Sequence, residues 1–393
     1  MDFELSSWPK DDNLWILRLL CIDFFQLKLI KVMVVLYIIF NVLLLLIQTY
    51  LFLSVFEIDF FAIYSPYYFA IFYIILSLGQ TLLATHLNGD ALRSVQLWKV
   101  QNVDEENAKQ IKLEIRITTI YAIVNAVFAL FAGVLYMLPS ENVKKMCFPL
   151  VIIQKYAPYW KDELSLLYMA GYILIALAMV ANCNQAIYTT CHFRIQIYLV
   201  KSAMKELLHV KIRNSKDVCK LLRTKEFQED FKVKMAFVIK RISGIIKEGI
   251  KLNKQMNIYV MLFAVCACLL AMGVMLFFLL AMKLDFEFGL KEYLQIVTTA
   301  VAGLSTFATV IISGQKVEDI MEEVRYMWAS LPWYVHNYEN SQVYIIFLGI
   351  LTKSYKIHFT EEISLNYRLG VAIARTLFST LFAFLQLINL DRS

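Results

Sequence analysis

The last membrane-length stretch of the chain, RTLFSTLFAFLQLIN at 375–389, carries Thr376, Ser379, Thr380, Gln386 and Asn389 among Leu and Phe. None of these is placed for catalysis. No nucleophile has a base at a matching spacing, and no phosphate-binding loop occurs. The five His residues, 86, 192, 209, 336 and 358, form no pair with metal-ligand spacing, so no cofactor or metal is expected. What the polar groups can do is solvate. Thr376, Ser379, Thr380, Ala383, Gln386, Leu387 and Leu390 recur at i, i+3/i+4 and i+7, which places them along one side of a helix. Two chemistries fit that side. Ser and Thr can bond back to carbonyls one turn earlier while Gln386 pairs with a neighbouring helix. Alternatively, the side tolerates water, with a greasy ring that dewets a path when closed. Arg368 and Arg375, seven apart, share a face of the same helix, and charges at that depth are read as functional or as snorkelling.

A second constellation is aromatic. Tyr64, Tyr68, Ile71 and Phe72 fall at helical spacing near the start of one apolar stretch. Phe128, Phe131 and Leu135 end another, Tyr168, Met169 and Tyr172 begin a third, and Thr298 and Thr299 follow Tyr293 in a fourth. Aromatics and aliphatics with a few hydroxyls suit a small apolar molecule, since burial supplies affinity without directional bonds. The same residues also serve as interface anchors and helix packing.

Helices in a bilayer must position both groups. Of 393 residues, 60% are hydrophobic and 18% charged, with a mean hydropathy of +0.60. Soluble-enzyme and nucleic-acid readings do not fit that balance. Seven spans are read, at about 32–53, 61–83, 118–138, 166–190, 258–282, 294–314 and 366–390. The apolar run 343–351 is too short to cross and reads as a buried helix outside the bilayer. With the N-terminus inside, inner segments hold 29 Lys and Arg against 7 in outer ones, so the N-terminus is read as cytoplasmic and the C-terminus as extracellular. The start of the chain is acidic, contains Pro9 and is not a signal peptide. Of seven cysteines only Cys147 falls in an outer loop, so no disulfide links two outer loops. The basic stretch 194–257 reads as a solvated extension of spans four and five, and the acidic run from Glu318 to Glu323 as its counterpart.

The region after span six, SGQKVEDIMEEVRYMWASLPWYVHNYEN, continues through a short apolar helix and TKSYKIHFT into the last span. It resembles the C-terminal signature of insect odorant receptors, and the loop FPLVIIQKYAPYWKDELSLLY before span four resembles the same family. The matching elements include Gly314 and Gln315 at the end of span six, an acidic helix through Glu322, and Trp333 with Tyr334. The last span reads LFSTLFAFLQL where many members have SYSYF-like runs, a departure toward the related gustatory receptors. The resemblance implies an all-α membrane protein of seven transmembrane helices that is a subunit of a ligand-gated, non-selective cation channel. It implies a heterotetramer with the olfactory co-receptor in the plasma membrane of olfactory sensory neurons, opened by a small volatile odorant. It divides the chain into a cytoplasmic segment 1–31, a six-span bundle 32–314 with the pocket and the extension 191–257, cytoplasmic anchor helices 315–365, and a pore-lining span with its tail, 366–393. Gly314, Gln315, Glu322, Trp333 and Tyr334 become anchor and subunit-interface residues, and the polar side of the last span becomes the pore wall. A gustatory receptor channel is the alternative, with a G-protein-coupled chemoreceptor and a secondary transporter behind it. Orientation argues against the third reading, and the lack of repeated halves against the fourth.

Overall fold

The computed structural model describes residues 4–7, 9–54, 58–95, 97–101, 103–137, 147–208, 215–283, 289–352, 356–357 and 363–390. In chain order these form α1 (Trp15–Arg18), a π-turn (Leu19–Asp23), α2 (Phe24–Gln26), α3 (Lys28–Ser54) and α4 (Ile58–Ser94). Next come α5 (Glu105–Met137), α6 (Phe148–Tyr156), α7 (Lys161–Leu208), α8 (Ser215–Arg223) and α9 (Lys225–Lys283). The chain closes with α10 (Leu290–Ala329), α11 (Tyr338–Thr352) and α12 (Tyr367–Leu390). Among the described residues no strand forms, and one isolated bridge joins Leu5 to Trp98.

Among the described residues, five stretches are long and apolar enough to cross a membrane: α3, Tyr67–Ser94 of α4, α5, Pro158–Leu208, and α10. α3 shows why. It turns only Val34, Asn41, Leu44 and Gln48 inward. Its outer face is Leu36, Leu43, Leu46 and Leu53, all at least half exposed. Lipid solvates such side chains while the helix satisfies its own backbone, so the polar residues are the ones turned in. α7 lies at the centre and packs against α4, α5, α9 and α10. Its seam with α5 is close because α5 lays Ala122, Ala126, Ala129 and Gly133 along the contact. A Cβ at Gly133 would lie 2.9 Å from the Ile173 Cα, so only a residue without one fits that approach.

The helices outrun the expected spans at one end. α7 has 48 residues, about 72 Å at ~1.5 Å per residue, against a hydrocarbon core of ~30 Å. The overhangs meet one another. Lys205 Nζ pairs with Asp104 Oδ2 at 2.6 Å and with Glu106 Oε2 at 2.8 Å, and Lys201 pairs with Glu323. The basic stretch therefore reaches the acidic run through Lys201, a pairing that sequence spacing alone does not reveal. The apolar run 343–351 lies in α11, whose Tyr344 and Phe347 enclose Trp328 of α10, and the Trp328 Nε1–H donates to the Tyr344 carbonyl at 3.2 Å.

The N-terminal segment is tucked into this end. Ser6 N–H donates to the Leu97 carbonyl at 2.7 Å, and Leu14, Leu17 and Phe25 are fully buried. Asp12 accepts from Leu14 N–H (2.8 Å), Arg18 (3.0 Å) and the Tyr188 hydroxyl (2.8 Å), and it meets His192 Nε2 at 3.1 Å. Burial opposes the Asp12 charge. The His192 contact and the Leu14 and Tyr188 hydrogen bonds outweigh burial and hold the carboxyl below its ordinary value. His192, one of the scattered histidines, is thus part of a buried polar cluster. The π-turn presents the Cys21 carbonyl to Gln185 Nε2 at 2.7 Å.

Candidate functional site

Three places receive the residues singled out by sequence. The first is the end of the bundle that carries α6. There Cys147, Leu150 and Ile153 sit on Leu44 of α3, Ile71 of α4, and Tyr168 and Met169 of α7. Tyr37, Tyr67 and Tyr172 pack around them. Tyr37 and Tyr168 stack with ring centroids 6.3 Å apart, Tyr168 and Tyr172 meet edge-on at 5.8 Å, and Tyr136 stacks on Tyr172 at 5.9 Å. Tyr64 meets Phe148 edge-on at 5.6 Å, and Tyr68 meets Phe72 at 5.3 Å while its hydroxyl lies 3.0 Å from Thr49 Oγ1. A Cβ on Gly171 would fall 2.2 Å from the Tyr37 ring, so this glycine admits Tyr37 to the cluster. The assembly is a packed aromatic and aliphatic cluster that carries several tyrosine hydroxyls, a chemistry suited to a small, mostly apolar molecule.

Of the residues expected there, Ile71, Met169 and Tyr172 are brought together, and Tyr64, Tyr68 and Phe72 adjoin them. Leu135 accepts through its carbonyl from Gln295 Nε2 at 2.8 Å, and Thr298 is buried, donating to the Leu294 carbonyl at 2.7 Å. Phe128 and Phe131 are exposed beside Val124 and Val127, because α5 turns its small residues inward and its large ones outward. The side chain of Thr299 lies outside the described residues. Tyr168, which begins the third stretch with Met169 and Tyr172, joins them in the cluster. Sequence reasoning missed Tyr37, Leu44, Tyr67, Cys147, Leu150 and Ile153. A signal existed for two of them: Tyr37, Asn41, Leu44 and Gln48 recur at i, i+4, i+7 and i+11, the buried face of an otherwise uniformly apolar helix.

The second place is α12. It packs on α10 at its base, where Gly370 brings its backbone to Ile311; a Cβ there would lie 3.3 Å from Ile311 Cγ2. Beyond that, Thr376, Ser379, Ala383 and Gln386 are exposed on the single chain, as are Phe378 and Phe382. Thr376 Oγ1 donates back to the Ala372 carbonyl at 2.9 Å. The side chains of Thr380, Leu387 and Leu390 lie outside the described residues. Arg375 is exposed, and Arg368 lies close enough to Glu318 to help hold that carboxyl below its ordinary value, with Lys356 and Asn366 contributing more against the effect of burial.

The third place is the junction of α10, α11 and α12. A Cβ at Gly314 would stand 2.1 Å from the Leu365 carbonyl oxygen, so the connection to α12 rests on the bare backbone of α10. Gln315 Oε1 accepts from Tyr367 N–H at 3.2 Å, and Asn366 Oδ1 accepts from Arg368 N–H at 3.1 Å, capping α12. Asn366 Nδ2 donates to Glu318 Oε2 at 3.2 Å, and Glu318 pairs with Lys356. Glu322 faces solvent and pairs with Arg325 at 2.9 Å. Trp333 and Tyr334 are more than half and half exposed, respectively.

Nearby, His336 is buried against Phe231, with ring centroids 4.0 Å apart, and neither ring nitrogen has a hydrogen-bond partner. Burial pushes its pKa down to about 4, so the folded protein holds it neutral. The unfolded chain binds a proton at ~6.5 that the folded one refuses, and stability therefore falls as pH drops from there toward the folded value. His336→Phe should remove about 2 kcal/mol of the destabilisation otherwise present at pH 5. Thermal unfolding of the detergent-solubilised protein at pH 7.5 and pH 5 checks this, and an unchanged pH dependence in the variant refutes it.

No protein-family model matches the chain, and no curated protein matches it in sequence. Solved structures do. The chain has the fold of an insect olfactory receptor, and it is an all-helical, multi-pass membrane protein. One similar structure is olfactory receptor OR5 from Machilis hrabei, with TM-score 0.56 and 10% identity over 97% of this chain and 98% of that one. The same receptor in complex with eugenol gives TM-score 0.62 and 10% identity over 98% of both chains.

Proposed function

We propose that this chain is an odorant-tuning subunit of the insect odorant receptor family. A small volatile, apolar molecule binds at the tyrosine-rich end, and a non-selective cation path opens beside α12. The observation that carries this reading is the state of α12. Among the described residues, this membrane-length helix meets α10 at its base and exposes Ser379, Ala383 and Gln386. Left in lipid, Gln386 is costly; set against other subunits around water, it is solvated. The full-length likeness to a receptor solved with eugenol supports the ligand class. Seven spans with a cytoplasmic N-terminus and an extracellular C-terminus follow from the charge asymmetry.

The junction supports assembly with the co-receptor. Trp333, Tyr334, Tyr338, Ile345 and Ile346 are each at least half exposed around a helix too short to cross the membrane. Such an apolar patch outside the bilayer needs a protein partner. The test is expression with and without an olfactory co-receptor, with an epitope tag at each end. Eugenol and a panel of volatile aromatics should evoke current in the co-expressed pair and little in the single chain. Intact cells should stain for the C-terminal tag only. Robust current from the single chain would overturn the tuning-subunit assignment, and surface staining of the N-terminal tag would overturn the topology.

A further inference from the structure

Arg194 of α7 is buried, and its guanidinium joins three helices. Its Nε donates to Glu114 Oε2 of α5 at 2.8 Å. One terminal nitrogen donates to Ser313 Oγ of α10 at 2.9 Å and to the Ser313 carbonyl at 3.2 Å. Thr190 Oγ1 meets the same serine hydroxyl at 2.7 Å, and Lys316 reaches the other Glu114 oxygen at 3.5 Å. A buried ion pair of this kind is held by geometry rather than by favourable desolvation, and only the planar arginine fork can serve a carboxylate and a second acceptor set at once.

What gives the cluster consequence is the next residue. Ser313 faces Arg194, while Gly314 and Gln315 carry the backbone and the cap of α12. Consecutive residues on a helix point about 100° apart, so one turn of α10 is gripped from both sides. α5 and α7 also bear the aromatic cluster at their far ends, with Tyr136 on one and Tyr168, Met169 and Tyr172 on the other. Arg194 lies 22 positions beyond Tyr172, about 33 Å along a single rigid helix at ~1.5 Å per residue. We propose that Arg194 is the positioning residue through which α5 and α7 set the placement of α10 and hence of the base of α12. A displacement at the tyrosine-rich end would then reach the base of the last helix by way of this guanidinium. The role is distinct from ligand binding and from the path itself, because the groups that Arg194 bonds, Glu114 and Ser313, belong to neither the cluster nor α12.

The test separates this coupling from the channel reading. Arg194→Lys keeps the charge beside Glu114 and loses the fork to Ser313, whereas Ser313→Ala removes one neutral acceptor from a helix that tolerates alanine well. Both proteins, in lipid nanodiscs, are compared with wild type by amide hydrogen exchange. Exchange at 367–371 should quicken at least about tenfold in Arg194→Lys and severalfold in Ser313→Ala, with exchange at 165–172 unchanged. Quickening confined to 190–197 and 311–316, with 367–371 as in wild type, would overturn the proposal. If Arg194→Lys does not fold, Ser313→Ala decides alone. Ligand-free leak current per surface copy, measured with the co-receptor, should change in the same variants. A change in exchange without a change in current would retire the channel reading and leave the coupling standing.

Discussion

Gly314→Ala should remove the protein from the cell surface, while Gly303→Ala on the same helix should leave it there. The two glycines share a helix and differ in what surrounds them. At Gly303 a Cβ would meet nothing within 4 Å, and exchanging glycine for alanine in a helix stabilises it by about 0.5–1 kcal/mol. At Gly314 the Cβ would stand 2.1 Å from the Leu365 carbonyl oxygen and 3.1 Å from its carbon. Those atoms are backbone, so no flexible side-chain end can yield. The connection at 363–366 must retreat instead, and with it go the Gln315 contact to Tyr367 N–H and the Asn366 contact to Glu318. Overpacking of this kind costs about 3 kcal/mol, on the order of a hundredfold in the folded population. Surface biotinylation of the two variants with the co-receptor measures the contrast. Equal surface levels would mean that α12 does not rest on α10 at this point.

Gln386→Glu should raise relative calcium permeability severalfold without reordering the odorants. Gln386 is exposed on α12, about two turns beyond Ser379 along the polar side. If water fills that side in the assembled channel, a carboxylate there attracts cations. A divalent ion about 4 Å away gains about 2 kcal/mol even at the dielectric of bulk water. Screening reduces the gain, and in the proposed assembly co-receptor copies of the path would dilute it, yet a severalfold change in the permeability ratio should survive both. Reversal potentials in calcium-rich solution, recorded for both proteins with the same co-receptor, read the effect. An altered odorant order with unaltered permeability would place Gln386 in helix packing instead. Gln386→Leu, which makes the same position greasy, should favour the dewetted, closed path.

The sequence shows the helices far better than it shows their meeting points. Apolar length alone located every long helix, since a bilayer leaves the backbone no other way to satisfy its hydrogen bonds. The basic, amphipathic stretch 194–257 also marked the extension of α7 and α9 past their spans, but not which side chains the overhangs would meet, because partners such as Asp104 and Glu323 have no period in common with it. Tyr172 and Met169 were legible from aromatic spacing, but Cys147 and α6 were not, since a loop has no period. The same limit applies to Arg194. Its sequence neighbourhood is an ordinary basic stretch, and only the approach of Glu114 and Ser313, 80 and 119 positions away, distinguishes it from the other cations there. Phe128 and Phe131 mark the opposite failure: a sound aromatic pattern whose helix faces outward.

The burial of Asp12, Leu14, Leu17 and Phe25 in the N-terminal segment has a consequence in time. This segment leaves the ribosome well before its partners, yet Asp12 is held by Tyr188 and His192, and the Cys21 carbonyl by Gln185. Its docking site does not exist until the fourth long apolar helix has been made. At ~5–20 residues per second the segment waits roughly 10–30 s, with Leu14, Leu17 and Phe25 uncovered, before it can close on its partners. The segment therefore folds only after residues made long after it, and a chain stalled or truncated before His192 presents an open greasy hook to the chaperones that decide its fate.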